Sequence, residues 1–184
     1  SYHDQAADVL YVAINAYGIV GDADGDGNPG AAGNLAAAGL GGSDPANLGG
    51  SETAALVIDI DEDGTGDAVA GVSAFTNIGG FAVRAFTGNT YNPGLAFGAS
   101  LPGVQAQVFG SPSAAAPDLE FTITGLSNIP ASSGQDNGPG FLAHAYLGAV
   151  EDGGIGEDHS PVTYFSAAEF PMGPGSGVAP TNWW

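Results

Sequence analysis

Carboxylates at alternate positions, closed by a glycine, occur twice in this chain. Asp22, Asp24 and Asp26 precede Gly27 in "GDADGDGNPG", and Asp59, Asp61 and Asp63 precede Gly64 in "DIDEDGTGD". Asn28 offers an amide oxygen beside the first loop, and Asp67 falls at the ninth position of the second. The chemistry this spacing suits is the binding of a hard divalent cation. Calcium takes roughly six to eight oxygen ligands, and alternate side chains of a loop turned sharply at glycine can converge on one ion. Asp22, Asp24, Asp26, Asn28, Asp59, Asp61, Asp63 and Asp67 are therefore the candidate metal ligands, and calcium is the expected cofactor.

An EF-hand would also require a bidentate Glu at position 12 and helices on both flanks. Position 12 is Gly33 in the first loop and Ala70 in the second, and the flanks read as strands. The two loops resemble instead the D-x-D-x-D-G calcium loops of thrombospondin type 3 repeats and dockerins. The resemblance spans about six residues at each site. It implies calcium ligation by Asp22, Asp24 and Asp26, and by Asp59, Asp61 and Asp63, and implies nothing about fold or partner. A third acidic segment, with Glu151, Asp152, Glu157 and Asp158, is a further source of ligands. Asp-Gly stretches are also good turns without any metal, because Asp bonds its own backbone and Gly accepts positive φ.

Over half of the 20 acidic residues lie in these three segments, against a single basic residue, Arg84. A surface adapted to high salt would scatter its acids; clustering favours bound cations. The net charge of -19 excludes a nucleic-acid or anionic-membrane surface, since both need clustered Lys and Arg. No run approaches the roughly 18 apolar residues of a membrane span, so no membrane insertion is expected. There is no cysteine, hence neither a disulfide nor thiol catalysis. The one methionine is Met172, and cleavage of a signal peptide before Ser1 is expected, because calcium is abundant outside cells. The expected location is extracellular, at the cell surface.

Catalytic sets are not legible. His3, His144 and His159 are far apart, no H-E-x-x-H or G-x-S-x-G occurs, and His144 reads as a partly buried strand residue. The many carboxylates stand at metal spacing, which leaves a glycan hydrolase as a third reading and no enzyme as the first.

The elements that must position the loops are strands. Residues 8–20 are apolar on both faces, which marks a strand covered on both sides. Residues 52–60, 67–75, 80–86, 103–110, 118–126, 141–150 and 161–167 alternate as further strands, separated by Gly- and Pro-bearing turns. Residues 21–50 read as a Gly/Ala-rich loop carrying a calcium site. The expected fold is a single all-β domain over 1–184, a two-sheet β-sandwich with jelly-roll character.

The expected function is a secreted, calcium-stabilised structural subunit of an extracellular filament or surface layer, its partners being copies of itself. Donation of the N-terminal strand into a neighbouring subunit is expected to assemble it, through Leu10, Val12 and Ile14. Arg84, expected to pair with a carboxylate and to be partly buried, and the terminal Trp183 and Trp184 complete the candidate interface. The alternative is a calcium-dependent carbohydrate-binding module, polysaccharide stacking on Tyr91, Trp183 and Trp184.

Overall fold

A computed structural model describes residues 1–14, 52–73, 77–88, 93–109, 119–134, 140–149, 158–159 and 163–165. Eleven strands run through them: β1 (Tyr2–Asp4), β2 (Val9–Ile14), β3 (Glu52–Asp59), β4 (Ala68–Val72), β5 (Phe81–Phe86), β6 (Phe97–Ser100), β7 (Gln105–Phe109), β8 (Leu119–Thr124), β9 (Phe141–Ala149), β10 (Asp158–His159) and β11 (Thr163–Phe165). They form two antiparallel sheets. One has the order β1-β2-β8-β7. The other has the order β10-β9-β3-β4-β5-β6, with β11 also pairing β9.

One core joins the two sheets. Leu10 and Val12 of β2, and Leu119, Phe121 and Ile123 of β8, pack in the same cluster as Leu56 and Ile58 of β3 and Phe141 and Ala143 of β9. Phe81 meets Phe121 across the layers at a ring separation of 4.6 Å. The architecture is thus the two-sheet sandwich expected from the sequence. β3 to β6 run as a meander within one sheet, each paired with its neighbour in sequence.

The strand covered on both faces is not the one the sequence singled out. In β2, Leu10 and Val12 are buried while Tyr11 and Ala13 are exposed. Tyr11 is tolerated in water because its ring stacks on Tyr2, directly opposite on β1, at 5.8 Å. The doubly covered strands are β3 and β4. Ala54, Leu56 and Ile58 face the sandwich core, while Ala55 and Val57 join Val69, Ile78 and Phe97 in a second cluster on the outer side.

The expectation of strand donation is corrected at the same place. β2 lies inside the chain's own sheet, bonded to β1 on one edge and to β8 on the other over six register pairs. Its ladder groups are already satisfied, and Leu10 and Val12 belong to this chain's core, with Ile14 packed against it. Residues 15–20 lie outside the described residues.

Arg84 is half-buried, as expected, but its partner is different. It stands on β5 beside Val69, and its Nη1 donates to Ser100 Oγ across the β5–β6 pair. Among the described residues its bond is to that hydroxyl and not to a carboxylate. His144 is half-buried within β9, as expected.

Candidate metal centre

The β3–β4 hairpin delivers Asp59 at the end of β3, Asp61 and Asp63 in the turn, and Asp67 just before β4. The hairpin is closed by the Asp67 N–H, which donates to the Ile58 carbonyl at 2.8 Å. Between the strands the chain must reverse while keeping its carboxylates inward. Two residues with positive φ accomplish this, Glu62 at 58° and Gly64 at 87°. At Gly64 glycine takes that conformation without a Cβ penalty, which is why the alternating acids end on it.

Asp59, Asp61 and Asp67 converge. Each offers a carboxylate oxygen, and these atoms lie within 4.8 Å of one another. All three residues are buried, Asp61 completely. The sequence pattern placed ligands at positions 1, 3, 5 and 9 of the loop, and the structure brings together 1, 3 and 9. Asp63, at position 5, is exposed and is not among the three that converge. Its Oδ1 accepts the Thr65 N–H at 2.7 Å, and its Oδ2 accepts the Ser132 hydroxyl at 3.2 Å. It acts as a turn cap and not as a fourth member of the trio. Asp22, Asp24, Asp26 and Asn28 lie outside the described residues, as do Glu151, Asp152 and Glu157, and Tyr91, Trp183 and Trp184.

A second segment closes over the trio. Residues 131–134 belong to the crossover from β8 in one sheet to β9 in the other. The Ser132 N–H donates to Asp67 Oδ1 at 2.6 Å, and the Ser133 N–H and hydroxyl both donate to Asp61 Oδ2, at 2.8 and 2.6 Å. Asp67 Oδ2 accepts the Ile60 N–H at 2.8 Å, while Asp59 Oδ2 accepts that of Gly64 at 2.8 Å. Asp67 also accepts, through its backbone carbonyl, the N–H of Phe86 at the end of β5. The centre therefore ties a hairpin, the neighbouring strand and an inter-sheet crossover together. The two serines were missed from sequence. They stand 65 and 72 residues from their partners, and "ASSG" reads only as a turn.

The electrostatics are those of crowded anions. Burial raises the pKa of Asp59, and the charge of Asp67 adds to that rise, while the backbone N–H groups of Gly64, Glu62 and Asp63 oppose it. Asp61 moves the other way, lowered first by the Ser133 hydroxyl and further by the N–H groups of Ser133 and Asp63, against its own burial. The neighbouring Asp59 side chain adds a smaller contribution in the same direction. The pair thus divides its roles, with Asp59 the place where a proton relieves the repulsion.

A divalent cation would relieve it more fully. Two oxygens on one calcium ion, each at about 2.3–2.6 Å, lie up to roughly 5 Å apart. The trio satisfies that span. Its hydrogen bonds leave lone pairs free, because an ionised carboxylate has about four acceptor sites. Three buried carboxylates of one sign could therefore hold a metal ion.

Comparisons with family models, with curated proteins and with solved structures return no significant match.

Proposed function

We propose that this chain is a calcium-stabilised structural subunit of an extracellular filament or surface layer. The observation that carries the reading is the buried Asp59–Asp61–Asp67 trio, which bonds the β8–β9 crossover to the β3–β4 hairpin. In a chain of -19 with one arginine, no side-chain cation is at hand to neutralise three buried carboxylates. Calcium suits the oxygen-only donor set, and outside cells it is abundant enough to fill a site of modest affinity. The ion does the work that a disulfide does in other secreted domains: it fixes the crossover that holds the two sheets in register.

The test has two parts. Calorimetry of chelator-stripped protein should give a binding heat with calcium that Asp61→Asn and Asp67→Asn diminish; no heat in the wild type rejects the metal. Negative-stain imaging of purified protein with calcium should show fibres or ordered sheets. Dispersed particles under all conditions reject the structural role.

A second reading, a calcium-dependent carbohydrate-binding module, is favoured by one feature. The outer face of the β1-β2-β8-β7 sheet carries the Tyr2–Tyr11 stack and the exposed ring of Phe109. Retention of dispersed particles on an insoluble polysaccharide would select it.

A further inference from the structure

We infer that the edge of β7 that no described strand covers is a self-association site, at which two copies pair antiparallel and fuse their four-stranded sheets into one. The inference rests on the reading of the chain as a self-assembling subunit and names the surface involved.

An edge strand exposes a row of unpaired N–H and C=O groups, and folded proteins blunt such rows with shortness, charge, proline or irregular register. The other described edges are blunted. β1 has three residues and carries Asp4. β6 has four, and its register with β5 shifts between Arg84 and Phe86. On the outer side of β9, β10 has two residues and β11 three. β7 differs in each respect. Its five residues, Gln-Ala-Gln-Val-Phe, include neither a charge nor a proline, and all five pair with β8 in unbroken register.

The residues of β7 are also suited to a copy of themselves. Gln105, Gln107 and Phe109 are exposed, whereas Ala106 and Val108 are half-buried and pack against the core. A two-fold axis at Gln107 sets Gln107 opposite its own copy, Gln105 opposite Phe109, and Ala106 opposite Val108. The apolar pair continues the core across the junction, while the outer face sets amide against amide at Gln107 and lays the stem of Gln105 along the ring of Phe109 on either side. Moving the register by one residue would set Ala106 against an outer-face position, and moving it by two would leave only three of the five residues paired, so the axis at Gln107 is favoured.

Charge points the same way. Two chains of -19 repel, and association is least opposed where carboxylates are fewest. Among the described residues the nearest carboxylate on this face is Glu120, opposite Phe109 on β8. Under the two-fold it falls in the row of the other copy's Gln105 and Thr124, so the two Glu120 side chains stand at opposite ends of the junction.

The absence of cysteine makes the test clean. Gln107→Cys should form a disulfide-linked dimer on mild oxidation, because the new thiols face each other across the axis. Ala13→Cys, exposed on the same sheet face but two strands away from β7, should not. Sedimentation should show the wild type associating with concentration, and Gln107→Lys should weaken that association roughly tenfold or more by setting like charges opposite. The lysine lowers the net negative charge, so a loss cannot come from long-range repulsion. A wild type that stays monomeric at all concentrations overturns the inference. So does Gln107→Cys that cross-links no faster than Ala13→Cys. If association survives in Gln107→Lys, self-assembly stands and its surface lies elsewhere.

Discussion

Asp67 concentrates the tasks of the centre in one side chain. Its two oxygens accept the N–H groups of Ile60 and Ser132, one in the hairpin and one in the crossover. Asp67→Ala leaves both donors without their acceptor, and hydrogen bonds to a charged group contribute about 1.5–3 kcal/mol each. Relief of the repulsion between Asp67 and Asp59 offsets part of this, so the expected loss is roughly 2–4 kcal/mol in chelator, read as a lower urea midpoint with an unchanged slope. Asp63→Ala should cost less, about 1 kcal/mol or below, because its partners are exposed. If the two variants lose equally, the distinction between trio and cap is wrong. His3 offers a different residue-scale prediction. Its ring nitrogens are buried without hydrogen-bond partners, and its ring stands edge-on to Phe141 at 5.5 Å. Burial lowers its pKa, with the charges of Asp8 and Asp4 opposing. A histidine held below its unfolded value of about 6.5 takes up a proton more readily when unfolded, so stability is retained above that pH and falls as pH drops through the folded value. His3→Phe should flatten the stability profile below about pH 6.5 relative to wild type. Parallel profiles for the two proteins would show that the imidazole titrates as it does in the unfolded chain.

At the scale of elements, the long strands were legible and the short ones were not, except β11, which lies within the segment 161–167 read as a strand. β3, β4, β5, β7, β8 and β9 all fall within segments read from alternation, because five or more residues give the period-2 pattern time to declare itself. β1, β6 and β10, of three, four and two residues, do not. What holds them is tertiary: Tyr2 is fixed by its ring contact with Tyr11, and β6 by its pairing with β5. The candidate site divides in the same way. Spacing found Asp59, Asp61 and Asp67, since one loop brings them together. It could not show that Asp63 would spend its carboxylate on Thr65 and Ser132, nor that a distant crossover would supply the closing donors. The joint after β8 shows what such crossovers demand of a backbone. Gly125 has φ of 79°, its N–H donates to the Asp8 carbonyl at 2.9 Å, and a Cβ there would come within 2.1 Å of the Gly103 carbonyl oxygen. Asp8 in turn accepts the Ser127 hydroxyl at 2.7 Å, so the β1–β2 turn, the β6–β7 corner and the end of β8 meet at one point. Gly125→Ala combines strain at positive φ with a backbone collision, and should destabilise by roughly 2–4 kcal/mol. Gly134→Ala, at φ 68° with open space around it, carries the strain alone and should cost about 1–2 kcal/mol. Equal midpoints for the two in urea denaturation would mean that the close approach relaxes without cost.

For the whole molecule the governing quantity is a net charge of -19 on 184 residues. Self-repulsion of that size opposes the compact state, and any salt lessens it by screening over a Debye length of about 10 Å at 0.1 M. A specific calcium site adds something screening does not. It binds the folded chain and not the unfolded one, and so stabilises by about 2.7 kcal/mol when free calcium is a hundredfold above its dissociation constant. For a domain of this size each kcal/mol moves the melting temperature by roughly 2–4 °C, so saturation should raise it by roughly 5–10 °C. Screening and binding are separated by comparing calcium chloride with sodium chloride at matched ionic strength. Both should raise the melting temperature, calcium by the larger amount. Asp61→Asn combined with Asp67→Asn removes charge and ligands from one centre while leaving the rest of the acidic surface in place. Its response to sodium chloride should stay close to that of the wild type, and its extra response to calcium should shrink. Equal wild-type responses to the two salts would make calcium one more screening ion, and the buried trio would then be a set of loop caps held by the N–H groups around it.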